Sequence, residues 1–204
     1  ISVSNVISGN GRVTQAGSGT LTLSATNTYT GGTNLTAGTL SLGSAGAIGS
    51  SGTISFGGGA LQHSANNTTD YSSRFSTVAS QAYRVDTNGQ SITLASALTS
   101  SGGSLNKLGS GTLLLSGANS YSGGTTVSAG TLTAGASSTV FGSAGVTVNG
   151  GSMALGTYSV STGAVVIGTS GGNGTGNPRK QPRIISCQNR QFGHAFCRIG
   201  SKIN

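Results

Sequence analysis

Residues 17–43 read "GSGTLTLSATNTYTGGTNLTAGTLSLG", and residues 109–135 read "GSGTLLLSGANSYSGGTTVSAGTLTAG". Aligned at a spacing of 92 residues, 17 of the 27 positions are identical, and neither stretch holds a charge. The register extends beyond the phrase. Ile54, Phe56, Gly58, Gly59 and Leu61 fall opposite Val146, Val148, Gly150, Gly151 and Met153, and residues 7–17 fall more loosely opposite 99–109. Residues 1–61 and 93–153 are thus two copies of one unit, with 62–92 intervening. A repeat of this kind decides the fold before any single motif does.

Within each copy the short period is two. Leu21 and Leu23 alternate with Thr20, Thr22 and Ser24, and the same alternation recurs at Leu40/Leu42, Ile54/Phe56, Ile92/Leu94, Leu113/Leu115, Val146/Val148 and Val165/Ile167. Successive strand residues face opposite ways, so each run is a short strand with one apolar face. The runs end at Gly-Gly, Ala-Gly, Asn-Gly or Ser-Gly, which are turn dipeptides. No apolar stripe of helical length occurs, and the chain reads as all-β. A sandwich wants longer strands and bulkier core aromatics. Small aliphatic residues suit the thin interior of a parallel β-helix, whose coils stack at about 4.8 Å. At about 20–25 residues per coil, the 92-residue repeat makes about four coils and the body about eight, roughly 40 Å tall. Repetition then has a cause, because a residue that suits one coil suits the next. On this reading Asn27 and Asn119, in matched turns, belong to asparagine ladders.

Composition separates the chain into a body and a tail. Of 204 residues 37 are glycine and 6% are charged, far below the roughly 25% of an ordinary soluble protein. The apolar alternation argues against disorder, and the lack of a three-residue glycine period with only two prolines excludes collagen. Residues 1–176 carry Arg12, Arg74, Arg84 and Lys107 against Asp70 and Asp86, a balance of +2 within the total of +8. The remaining charge is Arg179, Lys180, Arg183, Arg190, Arg198 and Lys202, all in 177–204 and accompanied by both cysteines, Cys187 and Cys197. There the alternation stops and glycine thins out, so 177–204 reads as a disordered or out-of-frame tail rather than as solenoid. No run approaches the ~20 apolar residues of a membrane span, and no charged-then-apolar leader opens the chain. Ile1 falls inside a repeat, which reads as a fragment whose targeting segments lie elsewhere.

Lys107, Gly109, Gly111, Thr112, Leu113, Leu115, Ser116, Gly117, Asn119, Tyr121, Gly123, Gly124, Thr125, Ala129, Gly130, Thr131 and Leu132 follow a recognisable pattern. It closely resembles the autotransporter-associated β-strand repeat of bacterial surface proteins. The first copy departs from that pattern with Gln15 for the lysine and Ala25 for a glycine. The resemblance covers 1–176 and implies a segment of a type V secreted passenger in a Gram-negative bacterium, on the cell surface or outer membrane or secreted. The implied fold is a single-stranded right-handed parallel β-helix. The implied partner is the outer-membrane β-barrel translocator of the same precursor. The implied role is a non-catalytic stalk that supports export, surface display and adhesion, with host-surface or self-association as further partners.

Other chemistries find little to work with. A β-helical enzyme acting on polysaccharide is the first alternative, and it wants clustered carboxylates. Asp70 and Asp86 are sixteen apart, no glutamate exists, and sixteen does not match a coil. "GTSGG" at Gly168–Gly172 resembles a serine-hydrolase phrase, but His63 is the only body histidine, without a carboxylate placed to orient it. "GGNGTGN" at Gly171–Asn177 lacks both the strand–helix setting of a phosphate loop and the aspartate of a calcium repeat. Cys187, His194 and Cys197 are one ligand short of a structural zinc site. A disulfide between the two cysteines is open in an extracellular setting, beside unpaired thiols. The sequence therefore assigns no catalytic, cofactor-binding or metal residue, no small-molecule substrate and no specific nucleic acid, although a basic tail with two Phe suits anionic polymers. A second alternative is an ice-binding solenoid, with Thr20/Thr22, Thr39/Ser41, Thr131/Thr133 and Thr147 as one flat array, although threonine is also an ordinary strand residue on a wet face.

Overall fold

The structure, a computed structural model, describes residues 1–136 and 139–167, together with the strands Arg183–Cys187 and Cys197–Gly200. Strands β1 to β16 are Ser2–Val3, Val13–Gln15, Thr20–Leu23, Thr33–Leu35, Thr39–Leu42, Ile54–Phe56, Ala60–Gln62, Ala82–Asp86, Ser91–Leu94, Ser104–Leu108, Thr112–Leu115, Thr125–Val127, Thr131–Ala134, Val146–Val148, Ser152–Ala154 and Val165–Ile167. Apart from one 3-10 turn at Ser72–Arg74, no helix occurs among the described residues. β1, β3, β5, β7, β8, β10, β12, β14 and β16 form one parallel sheet, whose nine strands mark eight coil-to-coil steps. β2, β4 and β6 make a second parallel sheet, and β9, β11, β13 and β15 a third. The all-β solenoid expected from the alternation is the fold. Two antiparallel strands in the tail, β17 (Arg183–Cys187) and β18 (Cys197–Gly200), extend the first sheet beyond β16.

Stacking follows the alternation. Leu21, Leu40, Leu61, Val85, Lys107, Val127, Val148 and Ile167 are successive register partners in the long sheet. Leu40, Leu61, Val85 and Val127 in this column are completely buried. Leu113, Leu132 and Met153 form the matching column of the third sheet, above Ile92. Burying one such side chain is worth about 1.5–3 kcal/mol, so each coil is held chiefly by the apolar residues it lays on its neighbour. Glycine is required where the chain turns tightly between coils. Gly38 and Gly130, the glycines of the two Ala-Gly-Thr-Leu phrases, have φ of +59° and +66°. A Cβ at either would run into carbonyls of the coil below, those of Gly17 and Gly19 or of Gly109 and Gly111.

The two copies do not lie directly above each other. β3 and β11, the twin strands of the quoted phrase, occupy different sheets. From Leu21, four steps up the same column end at Lys107, so four coils take 86 residues. The sequence twin Leu113 comes six residues later, on the next face. The intervening segment therefore advances the repeat by one side of the solenoid: first strands of copy two (β10, β12, β14) continue the sheet begun by second strands of copy one (β3, β5, β7). Aromatic rings fill the junction. Phe56, Phe75 and Tyr83 meet at centroid distances of 4.8, 5.5 and 5.9 Å, and the Tyr83 hydroxyl donates to Ser76 O at 2.7 Å. Large rings suit a place where strands of different register class overlap and columns of Leu and Val no longer match.

Candidate functional site: the clasps between coils

Strand ladders satisfy strand backbone, but turn carbonyls inside a solenoid need other donors, because a buried carbonyl without one costs free energy. The repeat supplies them from a few polar side chains turned inward. Gln15 ends β2, and its Nε2 donates to Gly17 O at 2.8 Å and Gly19 O at 2.9 Å. Lys107 holds the equivalent place in β10, with none of its side chain exposed. Its Nζ donates to Leu108 O at 2.8 Å, Gly109 O at 2.6 Å and Ala129 O at 3.1 Å, the last belonging to the coil above. All three ammonium protons are thereby engaged. Burial pulls the Lys107 amine down to about 8, with the Asp86 carboxylate opposing, so it is charged at neutral pH. The glutamine in copy one serves the equivalent turn, with Gly17 O in place of Gly109 O, but without the charge and without a bond to the coil above.

Asparagine provides the second clasp. Asn27 Oδ1 accepts from Ile7 N at 2.7 Å and Nδ2 donates to Ala47 O at 2.6 Å, twenty residues behind and twenty ahead. Asn119 Oδ1 accepts from Leu98 N at 2.7 Å, and its Nδ2 donates to Val140 O. Each side chain joins the coil below to the coil above. This corrects the expected ladder: Asn27 and Asn119 belong to different copies and bond to backbone rather than to each other. A third clasp was not anticipated. Tyr29 and Thr33 share a hydroxyl–hydroxyl bond of 2.8 Å, Tyr121 and Thr125 one of 2.5 Å, and Thr125 Oγ1 also donates to Phe141 O at 2.9 Å. Burial raises both phenols above their ordinary pKa, the threonine bonds opposing. The signal was present in sequence, since both copies keep Tyr and Thr four residues apart.

The charged residues of the body serve turns as well. Asp70 takes Ser72 N on Oδ1 and Ala95 N on Oδ2, both at 2.8 Å. Asp86 takes Asn88 N and the Gln62 Nε2 amide, both at 2.9 Å. The two carboxylates share no hydrogen-bond donor among the described residues, although both act on His63. Arg74 donates to the carbonyls of Gly52 and Gly49 at 2.9 Å, Ile48 at 3.1 Å and Ser51, while its guanidinium lies 5.6 Å from the centre of the Tyr71 ring. Being in the unrepeated segment, this clasp had no sequence signal. Asp70, Tyr71 and Arg74 border a shallow hollow of about 470 Å³ with Asn27, Ala45 and Ser50. His63 is fully buried; Nδ1 lies 3.3 Å from Asn67 O, and Nε2 has no partner among the described residues. Burial lowers its pKa, opposed by the Asn67 carbonyl, Asp70 and Asp86. No group of three His, Cys, Asp or Glu gathers among the described residues. Residues 168–177, with both Gly-rich phrases, lie outside the described residues, as does His194. Cys187 and Cys197 are directly opposed in the register of β17 and β18.

The threonines expected to make one array are divided. Thr20–Thr39 and Thr22–Ser41 lie on the long sheet, where the first column passes Ala60, Arg84 and Asn106 before reaching Thr126 and Thr147, and the second continues through Gln62 and Asp86 to Leu108. Thr131 and Thr133 lie on the third sheet.

Two segments of the chain, 13–42 and 105–134, match the passenger-associated-transport-repeat family. They begin 92 residues apart, at the first strands β2 and β10, and each includes all three kinds of clasp. No curated protein and no solved structure matches the chain. The molecule is a β-solenoid in which two segments, each spanning one set of clasps, are similar to the passenger-associated-transport-repeat.

Proposed function

We propose that this chain is a non-catalytic stalk segment of an autotransporter passenger, which supports export and surface display through the outer-membrane β-barrel of its own precursor. The observation that carries the reading is the continuous parallel ladder of nine strands, closed coil upon coil by inward Lys/Gln, Asn and Tyr–Thr clasps. The Lys107, Asn27, Asn119 and Thr125 clasps bond to the coil already laid down or to the next, while Gln15 and Tyr29 brace their own turn. Folding proceeds by docking one coil on its neighbour, as in other one-dimensional repeat arrays. A segment emerging from a pore in that order gains its apolar and hydrogen-bond energy outside the pore, which opposes backsliding. The rod then holds whatever it carries away from the membrane, as an adhesive passenger requires.

The test is a pair of deletions in the segment placed between a secretion signal and a translocator barrel. Removing 107–126 takes out one coil in the register Lys107↔Val127 and leaves Val127 to stack on Val85. Removing 107–116 takes out about half a coil and offsets every later strand. Surface display of the first at near the parental level, with loss of the second, is the expected result. Equal display of both deletions would remove the proposal.

A further inference from the structure

We propose that Asn149–Gly150 is a site of spontaneous deamidation, and that the solenoid protects Asn88–Gly89 from the same reaction. In this chemistry the glycine amide nitrogen gives up its proton and attacks the asparagine carboxamide carbon. A succinimide closes, ammonia leaves, and water opens the ring to aspartate or isoaspartate. No oxidant or cofactor is involved, and asparagine is among the thermolabile residues for this reason. Two things must be free: the glycine N–H and the carboxamide.

The chain has the dipeptide at Asn10, Asn88, Asn149 and Asn173, the last outside the described residues. At Asn88 neither requirement is met. Gly89 N donates across the coils to Ser110 O at 2.8 Å, Asn88 Nδ2 donates to His63 O at 3.2 Å, and Asn88 sits in the left-handed region at φ 46°. At Asn149 the carboxamide makes no hydrogen bond among the described residues. Gly150 N reaches only Val127 O, at 3.4 Å, a carbonyl that Asn149 N already takes at 2.9 Å. Both asparagines are exposed, so access to water does not separate them. Asn10 is intermediate, its carboxamide oxygen held by the Thr30 hydroxyl at 3.3 Å.

The product matters to the fold. Deamidation places a negative charge at the end of β14, and isoaspartate adds a methylene to the backbone between β14 and β15. There the two glycines are pressed against Ser128 O and Gly130 O, with no room for a Cβ. Residues 146–167 are therefore the first coils to loosen as the protein ages.

The test is to incubate the whole chain in mildly alkaline buffer, folded and in concentrated urea, with circular dichroism confirming both states. Peptide mapping with electron-transfer fragmentation follows the one-dalton gain at each asparagine and separates aspartate from isoaspartate. Native Asn149 is expected to convert at close to its urea rate. Native Asn88 is expected to convert about tenfold more slowly than in urea, the factor that one hydrogen bond of ordinary net strength gives. The variant N149Q removes the signal from that peptide and leaves the Asn88 rate unchanged. Native Asn88 reacting as fast as Asn149, or Asn149 slowed by folding as much as Asn88, would overturn the proposal.

Discussion

Replacing Lys107 separates its donor function from its volume. In K107M the stem still packs beneath Val127, but the ammonium is gone. Leu108 O retains the Thr87 amide at 3.2 Å, whereas the carbonyls of Gly109 and Ala129 lose the lysine donor. Two part-buried carbonyls left without a protein partner cost at most about 1–3 kcal/mol each, and relief from burying a charge returns part of that. The net expectation is a loss of about 3 kcal/mol, or about 6–12 °C in Tm for a chain of this size. K107Q copies the geometry of Gln15, whose amide serves two turn carbonyls at 2.8 and 2.9 Å, so it keeps the Gly109 carbonyl served, gives up only that of Ala129, and should lose about 1 kcal/mol. Urea and thermal unfolding followed by circular dichroism measure both. The pH dependence gives a second reading. The amine's pKa is lowered from 10.5 to about 8 in the fold, so its contribution is full above 10.5 and declines as pH falls towards 8. The stability of the parent relative to K107Q should therefore rise between those values. A K107M protein as stable as K107Q, with no such pH trend, would refute the clasp.

The buried His63 has a lowered pKa, so the stability tied to it is present above 6.5 and is lost as pH falls below that value. H63F, stacked on Tyr71, should flatten the decline in Tm on the acid side, and an unchanged acid profile would count against this. N119A removes bonds to Leu98 N and Val140 O and should cost about 2–3 kcal/mol, read as an earlier urea midpoint. G130A meets both a left-handed φ of +66° and a carbonyl of the coil below; it should lose at least about 2 kcal/mol and raise hydrogen exchange in β11 and β13. Y121F should cost about 1 kcal/mol in the same unfolding assay, since Thr125 keeps Phe141 O.

Which parts of this architecture the sequence discloses follows from what repetition can express. Leu21/Leu23 and Leu113/Leu115 announce short strands because inward and outward residues alternate, and the Ala-Gly before Thr39 and Thr131 announces the turn because only glycine tolerates it. The change from lysine to Gln15 looks like a departure from the pattern until the fold shows both side chains facing the equivalent turn, where they serve the matching carbonyls of Gly17 and Gly109. What repetition cannot express is rotation. A spacing of 92 residues divides into whole coils only if the coil length is known, and the 86 residues between Leu21 and Lys107 emerge from the strand register alone. Arg74 and His63 were also silent, since they occur once, and their partners are main-chain atoms 22 to 26 residues behind or four residues ahead. The asparagines lie in the connections that follow β3 and β11, but a ladder and a bridge require the same residue type.

The sideways offset between the copies has a geometric consequence. A rod lengthened by further units of the same spacing would carry the turns of each unit at a new bearing around its circumference, as treads climb a spiral stair. Whatever one tread touches, its successor faces elsewhere, so such a post could be approached from several directions by a single kind of ligand.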